Sequence, residues 1–294
     1  MLGSSNKFDP NTDIPDLTGK IYVDLHQVDE VEKQLASKLQ RLDVLIFSAA
    51  GGVGPYSETK DGIDSHMQVN VVAQHHLAML PLPKLLNTPD RGLCFQESEV
   101  HRAGTTGVES KDIAAINQDI DATSLYGRTK LAMTLLVKAL ARRKQRGELG
   151  FTPGAAPWVN ATHPGDVRTD QNFQMTEAYG LPSKLGEKAI RPFMNDPVDE
   201  GCRSVLVAAT SSAISEEKID GQYIVPYRKV TSPSSQTEDG GLQERCWKLV
   251  DHILTGKLRP LPYANRDNYG AEVMKLPLRL LEPDSSRLRL IYRT

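Results

Sequence analysis

The chain has 294 residues, 39 % hydrophobic and 24 % charged, the balance of a soluble globular protein with one large or two small cores. Its formal net charge is −2 and its pI about 6.4, so no basic field invites nucleic acid or an anionic membrane. Cys94, Cys202 and Cys246 are widely spaced and odd in number, without disulfide-framework or zinc-ligand spacing. That fits a reducing compartment. The first ten residues lack the apolar stretch of a secretory signal, and no run nears the ~18 apolar residues of a membrane span. These features predict an intracellular, cytoplasmic protein.

In chain order, residues 1–17 are polar, with Pro10 and Pro15, and read as an arm. Ile21-Tyr22-Val23-Asp24-Leu25 is β-prone, and residues 28–42 carry Val28, Val31, Leu35 and Leu39 on one helical face. Asp43-Val44-Leu45-Ile46-Phe47 continues into small residues, the mark of a buried parallel strand, and Gly51–Gly54 form a loop after it. Residues 65–86 predict a helix that Pro81 and Pro83 kink or end. Gly92–Phe95 reads as a strand, 104–123 as a loop, and 126–143 as a helix. Residues 157–162 form another buried-type strand, ending in His163-Pro164-Gly165. A cap region over 171–197, a helix over 201–209, a strand over 221–226, a Ser/Gly-rich loop over 231–241 and an amphipathic helix over 242–254 follow. The tail from Thr255 carries four prolines and no clear period. Strands alternating with helices predict an α/β fold with a mostly parallel sheet. The expected division is an arm (1–17), one domain (18–254) and an irregular tail (255–294).

Chemistry concentrates in Tyr126-Gly127-Arg128-Thr129-Lys130. Residues four apart on a helix share a face, so phenol and ammonium point at one place. A free tyrosine has a pKa of roughly 10, and a fixed cation beside it favours the phenolate, which suits acid–base work on an alcohol or ketone. The bland alternative is a solvated helix face. Metal binding has little support: the adjacent His75 and His76 diverge by about 100° on a helix. Ser98 and His101 are close in sequence, but no Gly-x-Ser-x-Gly elbow accompanies them.

The order of these features resembles the short-chain dehydrogenase/reductase family, in its fungal retinol-dehydrogenase-like branch, over roughly residues 7–254. Lys7-Phe8-Asp9-Pro10 and residues 14–20 resemble the approach to the first strand, and Val23-Asp24-Leu25 the third strand, where an aspartate borders the adenine. The resemblance implies a Rossmann-like doubly wound sheet and a catalytic set of Tyr126, Lys130, Ser98 and Asn70. Tyr126 would exchange a proton with substrate, Ser98 would bond the same oxygen, Lys130 would hold the nicotinamide ribose, and Asn70 would anchor a relay water. It also implies NADP or NAD, bordered by Asp24, Tyr126, Lys130 and the 163–169 loop with Val167 and Thr169. A small-molecule alcohol or ketone, natural-product metabolism and pairing of two copies through the catalytic helix complete the expectation. Leu131, Leu135 and Ala139 on that helix are equally good core.

Two departures stand out. Gly19-Lys20-Ile21-Tyr22 runs straight into Val23-Asp24-Leu25, leaving no room for the family's Gly-rich phosphate loop in a βαβ unit of some 30 residues. The first βαβ unit is therefore expected to be incomplete. Gln96-Glu97-Ser98 replaces a serine-rich strand end. These departures keep a second expectation open: a redox-inactive relative acting as an acid–base isomerase or cyclase, a binding protein, or an incomplete gene product.

Overall fold

The computed structural model describes residues 25–26, 28–30, 41–88, 92–104, 112–165, 167, 201–226 and 229–258. Within them lies a five-stranded sheet: β1 (Val44–Phe47), β2 (Gly92–Gln96), β3 (Trp158–Thr162), β4 (Tyr223–Val225) and β5 (Lys229–Thr231), in that spatial order. The first four strands are parallel, with Val44 opposite Gly92 and Gly92 opposite Trp158; β5 returns antiparallel on β4. The helices are α1 (Ser65–Met67), α2 (Ala73–Met79), α3 (Leu82–Leu86), α4 (Ala122–Gln145), α5 (Arg203–Thr210), α6 (Ser212–Glu216) and α7 (Gly240–Lys257). This is the expected Rossmann-like, doubly wound α/β architecture.

Strand periodicity sorts the core. Leu93 and Phe95 join the cluster that contains Leu131, Leu135, Trp247 and Val250 of α4 and α7, and Phe95 stacks on Phe47 with ring centroids 4.6 Å apart. The intervening Cys94 faces the opposite way, into Trp158, Val205, Ala208 and Ile214 of the α5–α6 layer. Burial of this kind is worth roughly 1.5–3 kcal/mol for each large apolar side chain. Leu131, Leu135 and Ala139 are at most 1 % exposed, so the side of α4 considered for pairing lies in this chain's own core.

The proline signal of residues 65–86 is realised as a break at Leu80–Pro81 between α2 and α3. A π turn at Gln68–Val72 also interrupts that helix, a feature with no signature in the hydrophobic period. Two expectations need correction. Leu25 was placed in a strand, but Leu25 and His26 are helical; the fully buried Leu25 serves a helix as well as it would a strand. Arg41 and Leu42 are not helical, because the chain is already entering β1 there. β5 and α6 went unrecognised, each being no more than five residues long. α7 runs on to Lys257, past the expected domain end at 254. The arm at 1–17, the incomplete βαβ unit, Asp24, Thr169, the 171–197 cap and the tail beyond 258 lie outside the described residues.

Candidate active site

The site is organised by α4. Asp121 starts it by accepting the Ser124 N–H at 3.0 Å, and Arg142, Arg143 and Lys144 sit in its last turn, where cations suit the carbonyl end of a helix. Tyr126, Arg128, Thr129 and Lys130 are all buried, at 7, 1, 0 and 5 % exposure, so the bland reading of a solvated face does not hold. Lys130 Nζ donates to the Gln96 carbonyl at 2.8 Å and lies 5.7 Å from the centre of the Tyr126 ring. The ammonium is thus fixed at the carboxyl end of β2, one helical turn from the phenol.

Ser98 follows two residues after the end of β2 and caps the short 3-10 turn Glu99–Ala103, accepting the Val100 N–H at 3.3 Å. This turn lies directly on α4. A Cβ on Gly104 would come within 2.5 Å of the Gly127 carbonyl, and one on Gly127 within 3.2 Å of the Val100 carbonyl. Two facing glycines therefore let the segment carrying Ser98 settle against the helix one residue past Tyr126. His101 locks the turn: Nδ1 lies 2.7 Å from the Ser98 carbonyl, and Nε2 accepts the Ser234 N–H at 3.0 Å. The neutral tautomer with its proton on Nδ1 meets both demands. Burial pushes the His101 pKa down accordingly.

Asn70 sits inside the π turn. Its Nδ2 donates to the Gly51 carbonyl and to Thr129 Oγ1, and its Oδ1 accepts the Gly51 N–H at 2.7 Å. Both amide hydrogens are engaged, and the amide ties the loop after β1 to α4 between Tyr126 and Lys130. Val167 is buried, with its side chain against Gly201. Gly165 is in the left-handed region at φ 89°.

Sequence reasoning passed over several neighbours. Glu97, noted only as a flaw in a serine-rich motif, is 2 % exposed, and its Oε2 has no hydrogen-bond partner among the described residues. Burial pushes its carboxyl up to about 8, with the Lys130 ammonium pulling the other way. Arg128 reaches inward to Asp64 (3.2 Å) and the Ile116 carbonyl (2.7 Å), anchoring α4 to the start of α1. Tyr223 on β4 lies between the rings of His101 and His163, at 5.0 and 6.3 Å. A continuous polar row at 126–130 was the available signal for Arg128; nothing in the sequence pointed to Tyr223.

The fold implies a dinucleotide. The carboxyl-edge residues fit its nicotinamide end, since Lys130 has two N–H groups left after bonding Gln96. The Gly51–Gly54 loop is followed by no helix before Ser65, so this glycine turn opens no helix for a pyrophosphate. A hollow of about 240 Å³ lined by Gly92, Trp158, Ala208 and Ser211 lies at the opposite, amino edge of the sheet. Among the described residues no cluster of three metal-ligating side chains occurs, and no helix is long and apolar enough to cross a membrane.

A parallel sheet with helices on both faces and a Tyr-x-x-x-Lys helix at its carboxyl edge defines an α/β protein of the Rossmann type. No family model matches the chain. Among curated proteins it is 27 % identical over 246 residues to the bli-4 oxidoreductase of Neurospora crassa, covering 81 % of this chain and 57 % of that one. It is 28 % identical over 243 residues to a short-chain dehydrogenase/reductase of Armillaria gallica, covering 79 % of this chain and 73 % of the relative. Retinol dehydrogenases of mouse and human are also similar. A crystal structure of a Mycobacterium paratuberculosis protein shares the fold, with TM-score 0.56 at 22 % identity over 78 % of this chain and 73 % of the other. The chain is thus similar to short-chain dehydrogenases/reductases over about four fifths of its length. It spans little more than half the length of the Neurospora relative.

Proposed function

We propose that this chain is an NAD(P)-dependent oxidoreductase that interconverts a medium-sized alcohol and ketone. The observation that carries the reading is the placement of Lys130 Nζ, held by the Gln96 carbonyl at the carboxyl end of β2 and one turn from Tyr126. A bound nicotinamide would give or take the hydride. Tyr126 exchanges the proton with the substrate oxygen, and Ser98, its hydroxyl hydrogen unspent in capping, donates to that same oxygen. The two remaining Lys130 N–H groups hold the nicotinamide ribose. Asn70 keeps the loop after β1 in register with α4 and retains one Oδ1 lone pair for a relay water. Asp24, Val167 and Thr169 border the cofactor in this reading. Its setting is natural-product metabolism in the cytoplasm; the Neurospora relative carries a mitochondrial name, and cell fractionation decides between the compartments.

Titration with NADPH and NADH, read by nicotinamide fluorescence, tests the proposal. Binding tighter than about 100 μM, roughly 5–6 kcal/mol, is the expected result, and the tighter of the two identifies the cofactor. Tyr126→Phe should lower turnover of an accepted carbonyl substrate about 10²–10⁴-fold while leaving dinucleotide binding in place. No binding by a chain with a folded circular-dichroism signal would select the redox-inactive acid–base reading. That the Gly51–Gly54 loop after β1 opens no helix is what keeps that alternative in play.

A further inference from the structure

The Ser98 hydroxyl has to be aimed by something, and a 3-10 turn of five residues has poor hydrogen-bond geometry of its own. Ser98 itself is extended, at φ −147° and ψ 152°. Its Oγ accepts the Val100 N–H at 3.3 Å. Its carbonyl accepts twice from one residue, from the His101 N–H at 3.1 Å and from His101 Nδ1 at 2.7 Å. Both oxygens of Ser98 are thereby fixed, and the imidazole does part of the fixing. That ring is held from elsewhere in turn. It is fully buried, packs on the Tyr223 ring of β4 at 5.0 Å, and accepts the Ser234 N–H on Nε2 at 3.0 Å. The next residue repeats the link, with Arg102 Nη2 donating to the Ser232 carbonyl at 3.0 Å. Ser232 and Ser234 follow β5 and lead into the 3-10 turn Ser235–Glu238. Glu238 pairs with Lys138 of α4 at 2.9 Å, and the Thr237 carbonyl accepts from Gln243 of α7 at 2.7 Å. The turn carrying Ser98 therefore meets α4 twice, directly at Gly127 and by way of 232–238 at Lys138.

We propose that His101 is a positioning residue that ties Ser98 to the 232–234 segment, so that a stretch remote in sequence sets the reach of the Ser98 hydroxyl toward the substrate oxygen. One ring meets two demands from two parts of the chain: it donates to Ser98 and accepts from Ser234. A reacting group misplaced by about 1 Å can cost roughly 10²-fold in rate, so a tie of this kind matters to turnover well beyond its share of stability. The proposal rests on the oxidoreductase reading for the chemistry of Ser98; the tie itself is a property of the folded chain.

Two substitutions separate the two bonds. His101→Asn keeps a donor in the place of Nδ1 and loses Nε2, so it cuts the link to Ser234; His101→Gln puts an acceptor in the place of Nε2 and loses the donor on Ser98. Each should lower kcat on an accepted carbonyl substrate about 10- to 10²-fold while dinucleotide binding is unchanged. In a Ser98→Ala background the same substitutions should lower kcat no further, because their effect passes through that hydroxyl. A histidine that only supports the fold predicts the same fall with and without Ser98; that result, or an unchanged kcat in both variants, overturns the proposal. Amide hydrogen exchange over residues 98–104, read by mass spectrometry, needs no turnover. It should quicken in His101→Asn, and an unchanged rate overturns the tie. Should the His101 variants fail to fold, Arg102→Ala, which cuts the link to Ser232, carries the exchange test with the same two outcomes. A folded wild-type chain that binds no dinucleotide sinks the oxidoreductase reading, and the exchange rates then decide the tie by themselves.

Discussion

Near the C-terminal end of α4, Lys144 is fully buried, with Nζ 2.9 Å from Asp220, 2.8 Å from the Pro157 carbonyl and 4.3 Å from the centre of the Trp158 ring. Arg143 beside it reaches Glu244 at 2.7 Å and lies 3.9 Å from the Trp247 ring. Four turns earlier Lys130 is almost as buried, yet its hydrogen bond among the described residues is to one carbonyl, and the Oε2 of Glu97, next in sequence to that carbonyl's residue, has no hydrogen-bond partner among them. One helix thus buries cations in two ways. At the far end Lys144 pairs with Asp220 and Arg143 with Glu244, which fastens α4 to the β3–β4 side and to α7. At the site end Lys130 Nζ meets one carbonyl and no carboxylate among the described residues, which in the proposed function leaves it available to a ligand. A partly satisfied buried network costs stability, and such networks are found where chemistry needs them.

The largest effect that tests this contrast comes from Lys144→Met. It leaves Asp220 with an uncompensated charge in a mostly buried position and should cost about 3–5 kcal/mol in urea unfolding. Lys130→Met removes one hydrogen bond to a carbonyl and should cost about 1 kcal/mol near neutral pH, while turnover falls far more. Equal losses in stability would erase the distinction drawn between the two ends. A smaller, pH-dependent effect belongs to His101. Its pKa is lowered in the folded state, so the unfolded chain binds the extra proton first as pH falls. His101 therefore contributes fully above about pH 6.5, and stability declines as pH drops below that value. His101→Gln should flatten that acid limb in a pH series of thermal midpoints.

Much of the scaffold was legible because each buried strand is a short apolar run and α4 carries a long apolar run after Lys130; its start at Ala122, capped by Asp121, lies inside the stretch read as a loop. The Tyr126–Lys130 spacing was legible for the same reason: two residues four apart on a helix share a face whatever surrounds them. Other features depend on contacts between distant segments. Gly104 and Gly127 acquire their meaning only when the turn after Ser98 crosses α4, and Asn70 reads as a lone amide until Gly51 and Thr129 meet it. Glu97 was visible as a departure from a motif, but its burial beside Lys130 follows from strand alternation and from the helix above it. β5 is three residues long and owes its existence to pairing with β4, which no local propensity specifies.

The smallest prediction sharpens the comparison at the start of α4. Asp121 accepts the Ser124 N–H and so satisfies one of the open donors of the first turn, two residues ahead of Tyr126. Asp121→Ala should cost about 1 kcal/mol, far less than loss of the matched cation at the other end. Its effect on turnover should also be small, because Tyr126 and Lys130 are held by tertiary contacts as well as by the helix start: Gly127 against Val100, Arg128 on Asp64, and Lys130 on Gln96. Measured together, a 1 kcal/mol loss with kcat within about twofold would show that packing, not the cap, aims the phenol. A large fall in kcat at that same modest loss would mean that fraying of the first turn reaches Tyr126, and that the site end of α4 is set by its cap.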